Sequence, residues 1–287
     1  MANKAPRDDL PRLGRAEALG TGLRRVTSDC CREAAQAVAR SPGESAVHRA
    51  RKALKRAKAL LRLAQDLDVA GSKSTRRRIA ALGRNLAPRR DAAVARKAAA
   101  QCAQAATSRG VAEAAGFVVA RLTRTPAKIR WVEWRKKVAD ASASVERLPW
   151  GETAPADIVK ALYRAARRTT KRAHDAARGG IADAHEWRKA ATVLREQLLV
   201  LRSTLACDVD DAVRRLHGLT RRLGHAVDEA VLLAALRRLR WPARLGEARE
   251  RLERTIGRRQ RKQLKRACRQ WPKLKKRLRQ TLAAIGG

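Results

Sequence analysis

Acidic residues are scarce in this chain: 27 Asp and Glu stand against 67 Lys and Arg over 287 residues, a formal net charge of +40. Such a surplus repels itself unless a polyanion neutralises part of it, so the partner is expected to be acidic. Charge sign says nothing finer, and nucleic acid, an anionic membrane surface and polyphosphate all qualify. Aromatics are scarce too, at 3% with one Phe and one Tyr, which weighs against a surface built to stack on bases. No apolar run approaches the ~18 residues of a spanning helix. The opening MANKAPRDDLPRLG lacks the apolar core of a signal peptide, so a cytoplasmic protein without membrane insertion is expected. Five cysteines (Cys30, Cys31, Cys102, Cys207 and Cys268) form no CxxC pair and are odd in number. They read as reduced, mostly buried small residues, with neither a disulfide framework nor a zinc site. Also missing are a glycine-rich phosphate loop, a nucleophile elbow and a pair of acids beside the basic segments. An enzyme acting on phosphate chains ordinarily needs carboxylates to hold magnesium. Binding without catalysis, cofactor or metal is the expectation.

What the chain does have is Ala, Leu and Arg, with apolar positions recurring every three or four residues, the mark of helix nearly throughout. Breaks are expected at SPGES (41–45), VAGSKS (69–74), the Pro88 region, TSRG (107–110), LPWGETAPAD (148–157), RGG (178–180), LACDVDD (205–211), WPARLG (241–246) and WP (271–272). Roughly eight to ten helical segments lie between them. LPWGETAPAD is richest in breakers and sits near the midpoint, dividing the chain into halves at 10–147 and 155–280.

The halves are related. Setting VHRARKALKRAKALLRL (47–63) over AHEWRKAATVLREQLLV (184–200) aligns His48 with His185, Arg51 with Arg188, Lys52 with Lys189 and Leu61 with Leu198, an offset of 137. Without a gap, the same offset places RRIAALGRNLAPRRDAAV (77–94) over RRLHGLTRRLGHAVDEAV (214–231), and Asp91 falls on Asp228. One offset serving two separate helices points to duplication.

In the first repeat helix Val47, Ala50, Leu54, Ala57, Leu61 and Ala64 form an apolar seam. Beside it run His48, Arg51, Lys55, Lys58 and Arg62, which at ~100° per residue lie within an arc of roughly 80°, with Lys52 just outside. At ~1.5 Å rise per residue this is a cation line about 20 Å long, suited to a linear chain of phosphates. The second repeat helix has its seam at Ala184, Trp187, Ala191, Leu194, Leu198 and Leu201. Its stripe is shorter: His185, Arg188, Thr192 and Arg195, with Lys189 alongside. If the halves pack by a pseudo-twofold, the two stripes face one another across a groove. Arg offers forked donors and Lys a point charge, a mixture that fits phosphate without favouring a base or sugar. A basic stripe on a helix is usually a solvated face; this one adjoins the seam and recurs in the duplicate. The histidines, in equivalent positions, serve either a structural hydrogen bond or a ligand contact.

HRARKALKRAKALLR followed by LGRNLAPRRDAAV, and HEWRKAATVLREQLL followed by LGHAVDEAVLL, resemble the conserved histidine α-helical domain, the CHAD family. The resemblance spans about residues 10 to 280. It implies an all-α fold of two helical bundles that binds inorganic polyphosphate through a basic central surface or pore, and such a ligand would associate the protein with polyphosphate granules. His48, Arg51, Lys55, Arg56, Lys58 and Arg62 fall on the family's basic pattern, Arg90 and Asp91 on its Arg-Asp pair, and Asp228 on the second Asp. The second half departs at Thr192, Val193 and Glu196, where the family usually carries two basic residues and an aromatic. Nothing reads as the β-barrel triphosphate-tunnel domain that accompanies some members. The alternative reading is a nucleoid or RNA-associated protein held by the phosphate backbone.

Other signals are weaker. Segment 251–280 is the most densely charged and either extends the anion path or forms a solvated helix. Trp131 and Trp134 read as core anchors before stacking platforms, and DVDD (208–211) as a helix N-cap before an ion site. His217 and His225 have no metal-ligating neighbours in the sequence.

Overall fold

The computed structural model describes residues 13–14, 17–39, 42–122 and 129–286. Among these the fold is all-helical: α1 (Leu19–Ala37), α2 (Glu44–Asp66), α3 (Ser72–Asn85), α4 (Ala87–Gln104), α5 (Arg109–Leu122), α6 (Trp131–Glu146), α7 (Pro155–Arg178), α8 (Ile181–Leu201), α9 (Asp210–Arg238) and α10 (Gly246–Gly286). Among the described residues no helix is long and apolar enough to cross a membrane. The five cysteines are free, with Cys30, Cys31 and Cys102 buried.

The punctuation acts as its chemistry requires. Gly71, at φ +77°, takes the left-handed turn into α3. Pro155 opens α7 in the first turn, where a missing N–H costs nothing. Asp208 accepts the Asp210 N–H at 2.7 Å in a turn leading into α9, whose N-cap residue is Val209 with no side-chain cap, so the N-cap expected of DVDD is replaced by this turn.

One expected break is corrected. Trp271-Pro272 does not end a helix: α10 runs through it from Gly246 to Gly286. Proline interrupts the ladder locally, but the flanking side chains hold the axis. Trp271 packs edge-on against Trp187 with ring centroids 5.7 Å apart, and Leu274 and Leu278 are buried in the same core.

Three apolar clusters hold the helices together. The first joins α1, α2, α3 and α6 around Leu54, Leu61, Ile79 and Trp134. The second joins α7 to α10 around Leu162, Trp187, Leu194 and Leu216, and takes in Leu60 and Leu63 from α2. A third, absent from a simple two-bundle reading, packs α4 and α5 against the far end of α9 and the near end of α10 through Ala99, Val118, Leu232 and Ile256. It exists because α9 and α10, at 29 and 41 residues, outrun the bundle they belong to.

Helix α2 therefore serves two cores, and α8 packs directly upon it. At that contact the Arg56 guanidinium, 2% exposed, meets the Glu196 carboxylate, 4% exposed, with Nε 3.2 Å from Oε2. Gln197 donates from Nε2 to the Ala59 carbonyl at 3.0 Å. At the far end of α2, Asp66 accepts both arms of Arg168, and its carbonyl accepts Arg164 Nη1 at 2.5 Å. These charge-assisted bonds clasp α7 to the same helix.

Candidate polyanion-binding groove

The apolar seam of α2 turns into the first core, and Ala59, Leu60 and Leu63 turn towards the α8 side. Between those two buried faces lies the stripe, and the α2 surface flanked by cations of α3, α4 and α8 is the candidate groove. Cations of α3 and α8 act on it from either side: Arg76, Arg84 and Lys189 bear on Lys58, and Arg188 on Lys55. Arg90 of α4 bears on His48, Lys55 and His185.

The five residues on one arc of α2 stay together. Arg51 anchors one arm on the Gly83 carbonyl at 2.7 Å, which fixes its stem and leaves the rest of the fork free. Arg62 donates to Gln65 at 3.3 Å and stands 3.5 Å from Asp66. Among the described residues, no carboxylate comes within ion-pair distance of Arg51, Lys55 or Lys58. Lys52 is exposed at the margin. Arg56 leaves the stripe: the family pattern includes it, but the helical wheel turns it towards α8, where burial and Glu196 consume its charge.

On α8 the basic residues are present and mostly partnered. Arg188 lies against Gly224, where an added Cβ would sit 3.3 Å from its Nη2, and is 3.9 Å from Asp228. Lys189 pairs with Glu186 at 2.6 Å. Arg195 pairs with Glu196 and contacts His217 Nδ1 at 2.9 Å. His185 is half-buried, and its Nδ1 is buried without a partner among the described residues. Arg90 bridges the two repeated acids, donating to Asp91 at 2.9 Å and Asp228 at 2.5 Å.

Crowded cations without counter-ions resist further charge. Burial, then the charges of Arg188, Arg51, Arg90 and Lys58, bring the Lys55 ammonium down to about 7, although the side chain is open to solvent along the groove. Lys58 is pushed down by burial, then by Lys189, Arg76, Arg84 and Arg51. Burial also lowers His48 and His185, aided by Lys55 and Lys189 respectively, which favours their neutral forms at neutral pH. The groove is thus held at a positive potential that its own carboxylates do not cancel.

Arg76 and Arg84 of α3 and Arg168 of α7 were not among the sequence candidates. The run Arg76-Arg77-Arg78 was a signal, but nothing in the spacing says which of the three turns towards α2. Trp134 is buried, donating to the Leu82 carbonyl at 3.2 Å, and Trp131 lies edge-on to it beneath Arg89, so both act as packing residues. Among the described residues no group of three or more His, Cys, Asp or Glu is placed to hold a metal ion.

An all-helical protein with a line of cations on α2, flanked by further cations from α3, α4 and α8, is the class that fold and site define. A family model described as the CHAD domain matches residues 23–237. The chain belongs to the CHAD domain family. Its fold is similar to the crystal structure of the CHAD domain from the plant Ricinus communis, with a TM-score of 0.60 at 18% identity over 99% of this chain and 98% of that chain. Among curated proteins none matches significantly. Helix α10 lies beyond the family match but within the structural likeness.

Proposed function

We propose that this protein binds inorganic polyphosphate, without catalysis, along the α2 stripe and the cations that face it from α3, α4 and α8. One observation carries the reading. Arg51, Lys55 and Lys58 stand in line, Arg51 and Lys58 part-buried and Lys55 exposed, and no described carboxylate forms an ion pair with them, Asp91 acting on Arg51 only from beyond that distance. Folding leaves cations uncompensated only at a cost, and a linear polyanion offsets that cost residue by residue. The family is commonly linked to polyphosphate, which agrees. In this reading α2 and α8 are equivalent helices of two half-repeats, 10–147 and 155–280, and the first supplies most of the binding charge. Residence in the cytoplasm, with association to polyphosphate granules, follows from such a ligand.

The deciding experiment is a competition titration of polyphosphate against duplex DNA and RNA at physiological salt. Polyphosphate is expected to win at equal phosphate concentration; displacement by DNA or RNA at equal or lower concentration would favour a nucleic-acid partner. Long chains should bind at least ~10-fold tighter than pyrophosphate, or about 1.4 kcal/mol, because each added phosphate meets another cation. Affinity should fall steeply with salt, by about 0.7 log unit per log unit of salt for each phosphate neutralised on a flexible strand. Equal affinity for short and long chains would indicate a compact anion pocket instead.

Lys55 adds a pH dependence. Its free ammonium titrates at about 7, and a polyanion binds the protonated form better. Affinity should therefore fall as pH rises above neutrality, with Lys55→Arg flattening the profile because the guanidinium stays charged. A profile between pH 6 and 9 that is unchanged in Lys55→Arg would remove Lys55 from the binding line.

A further inference from the structure

Away from the groove, α7 and α10 pack antiparallel, with Gly286 at the end of α10 beside Val159 near the start of α7. A cleft of about 350 Å³ opens between them. That is room for a small ligand at the lower end of the usual range of such sites. One side carries Arg167 and Lys171, the other Lys275 and Arg279, and Tyr163 lines the same cleft. None of these four cations makes an ion pair with a described residue. Neighbours on the same helices do: Arg168 with Asp66, Arg172 with Asp175, and Arg277 with Asp211. Arg164 and Arg168 turn to α2, so the cations of the cleft occupy a separate face of α7.

The chemistry of the walls narrows the ligand. Tyr163 is the chain's one tyrosine and, at 39% exposure, one of two large apolar side chains left open among the described residues. An exposed ring in a concave site beside cations suits a planar aromatic body with an anionic end. A bare phosphate chain would make no use of the ring. An acidic helix would need a broad apolar strip, but Leu278 and Leu282 in the floor are already 3% and 1% exposed.

We infer that the α7/α10 cleft is a second binding site, for a nucleoside phosphate, with the base against Tyr163 and the phosphates between Arg167, Lys171, Lys275 and Arg279. The site is independent of the α2 groove and does not depend on what that groove binds. The test titrates ADP and pyrophosphate calorimetrically into the full chain carrying Arg51→Glu, Lys55→Glu and Lys58→Glu, which removes the groove as a competing site. ADP should bind with one-to-one stoichiometry and at least ~10-fold tighter than pyrophosphate. Tyr163→Ala should bring that ratio to within ~2-fold, and Tyr163→Phe should keep it, because stacking needs the ring and not the hydroxyl. Arg167→Glu with Lys275→Glu should weaken both ligands. Should circular dichroism show the groove variant misfolded, the same Tyr163 replacements in the otherwise unmodified chain decide, with loss of one ADP equivalent as the expected result. No preference of ADP over pyrophosphate, or a preference that survives Tyr163→Ala, overturns the proposal.

Discussion

Reversal of Arg51, Lys55 and Lys58 to glutamate is expected to abolish high-affinity polyphosphate binding while leaving helicity intact. All three lie outside the apolar seam of α2; the one internal bond lost is that of Arg51 to the Gly83 carbonyl, worth about 1 kcal/mol. The control reverses Lys262, Lys265 and Arg266, all exposed on α10. Both variants change the net charge equally, so diffuse attraction predicts equal losses. A defined site predicts that the groove variant loses at least ~10-fold more, or about 1.4 kcal/mol. Crowding sharpens the contrast: groove cations share one ligand at close range, whereas those of α10 are screened by solvent. Affinity measured by titration, with circular dichroism on both proteins, decides the matter, and comparable losses would assign binding to bulk charge.

Removing Glu196 should be the most damaging single change at the interface of α2 and α8. Glu196→Ala leaves Arg56 buried, with Glu33 3.7 Å away as its remaining acidic neighbour. Breaking a buried pair from one side costs about 3 kcal/mol, a large part of the roughly 5–15 kcal/mol that hold a domain folded. Replacing both partners together, Arg56→Met with Glu196→Leu, should recover all but about 1 kcal/mol, because no charge is then stranded. Chemical denaturation of the three variants measures this; a double variant as unstable as the single one would show that packing, and not the ion pair, sets the cost. The pH dependence has a definite sign. Arg195 and Arg56 hold the Glu196 carboxyl below its ordinary 4.5 against the opposing effect of burial. Its contribution is complete above that value and is lost as pH falls through the lower folded pKa. Below that range the stability gap between the native chain and Glu196→Ala should narrow.

The two experiments bear on neighbouring faces of one helix. Arg56 stands five residues beyond Arg51 in the same basic run, yet one is consumed by folding and the other left for a ligand. Such a division cannot be read from residue types, since HRARKALKRAKALLR offers seven Arg and Lys of equal chemical promise. Helical geometry separates them in part: Arg56 lies outside the arc shared by Arg51, Lys55, Lys58 and Arg62. What turned that angular difference into burial is the arrival of α8 with Glu196.

Much was legible in advance because it rests on local rules. Helix throughout follows from the three- and four-residue spacing of Ala and Leu, and most boundaries from Gly, Pro and Asp, whose effects act within a turn. The placing of His48, Arg51, Lys55, Lys58 and Arg62 on one arc of α2 follows from helical spacing alone. Pro272 shows where local rules end, because its effect is overridden by Trp187, 84 residues before Trp271 in the chain. Tertiary structure alone decided which cations have partners: Lys189 and Arg195 are engaged by Glu186 and Glu196, whereas Lys55 and Lys58 are not. It also brought Arg76, Arg84 and Arg90 to the stripe and formed the third core from α4, α5, α9 and α10. A sequence determines which faces of its helices can be buried and how much charge they carry. Whether a given charge is spent within the fold or left for a ligand depends on which distant helix packs beside it, and neither spacing nor composition encodes that separation.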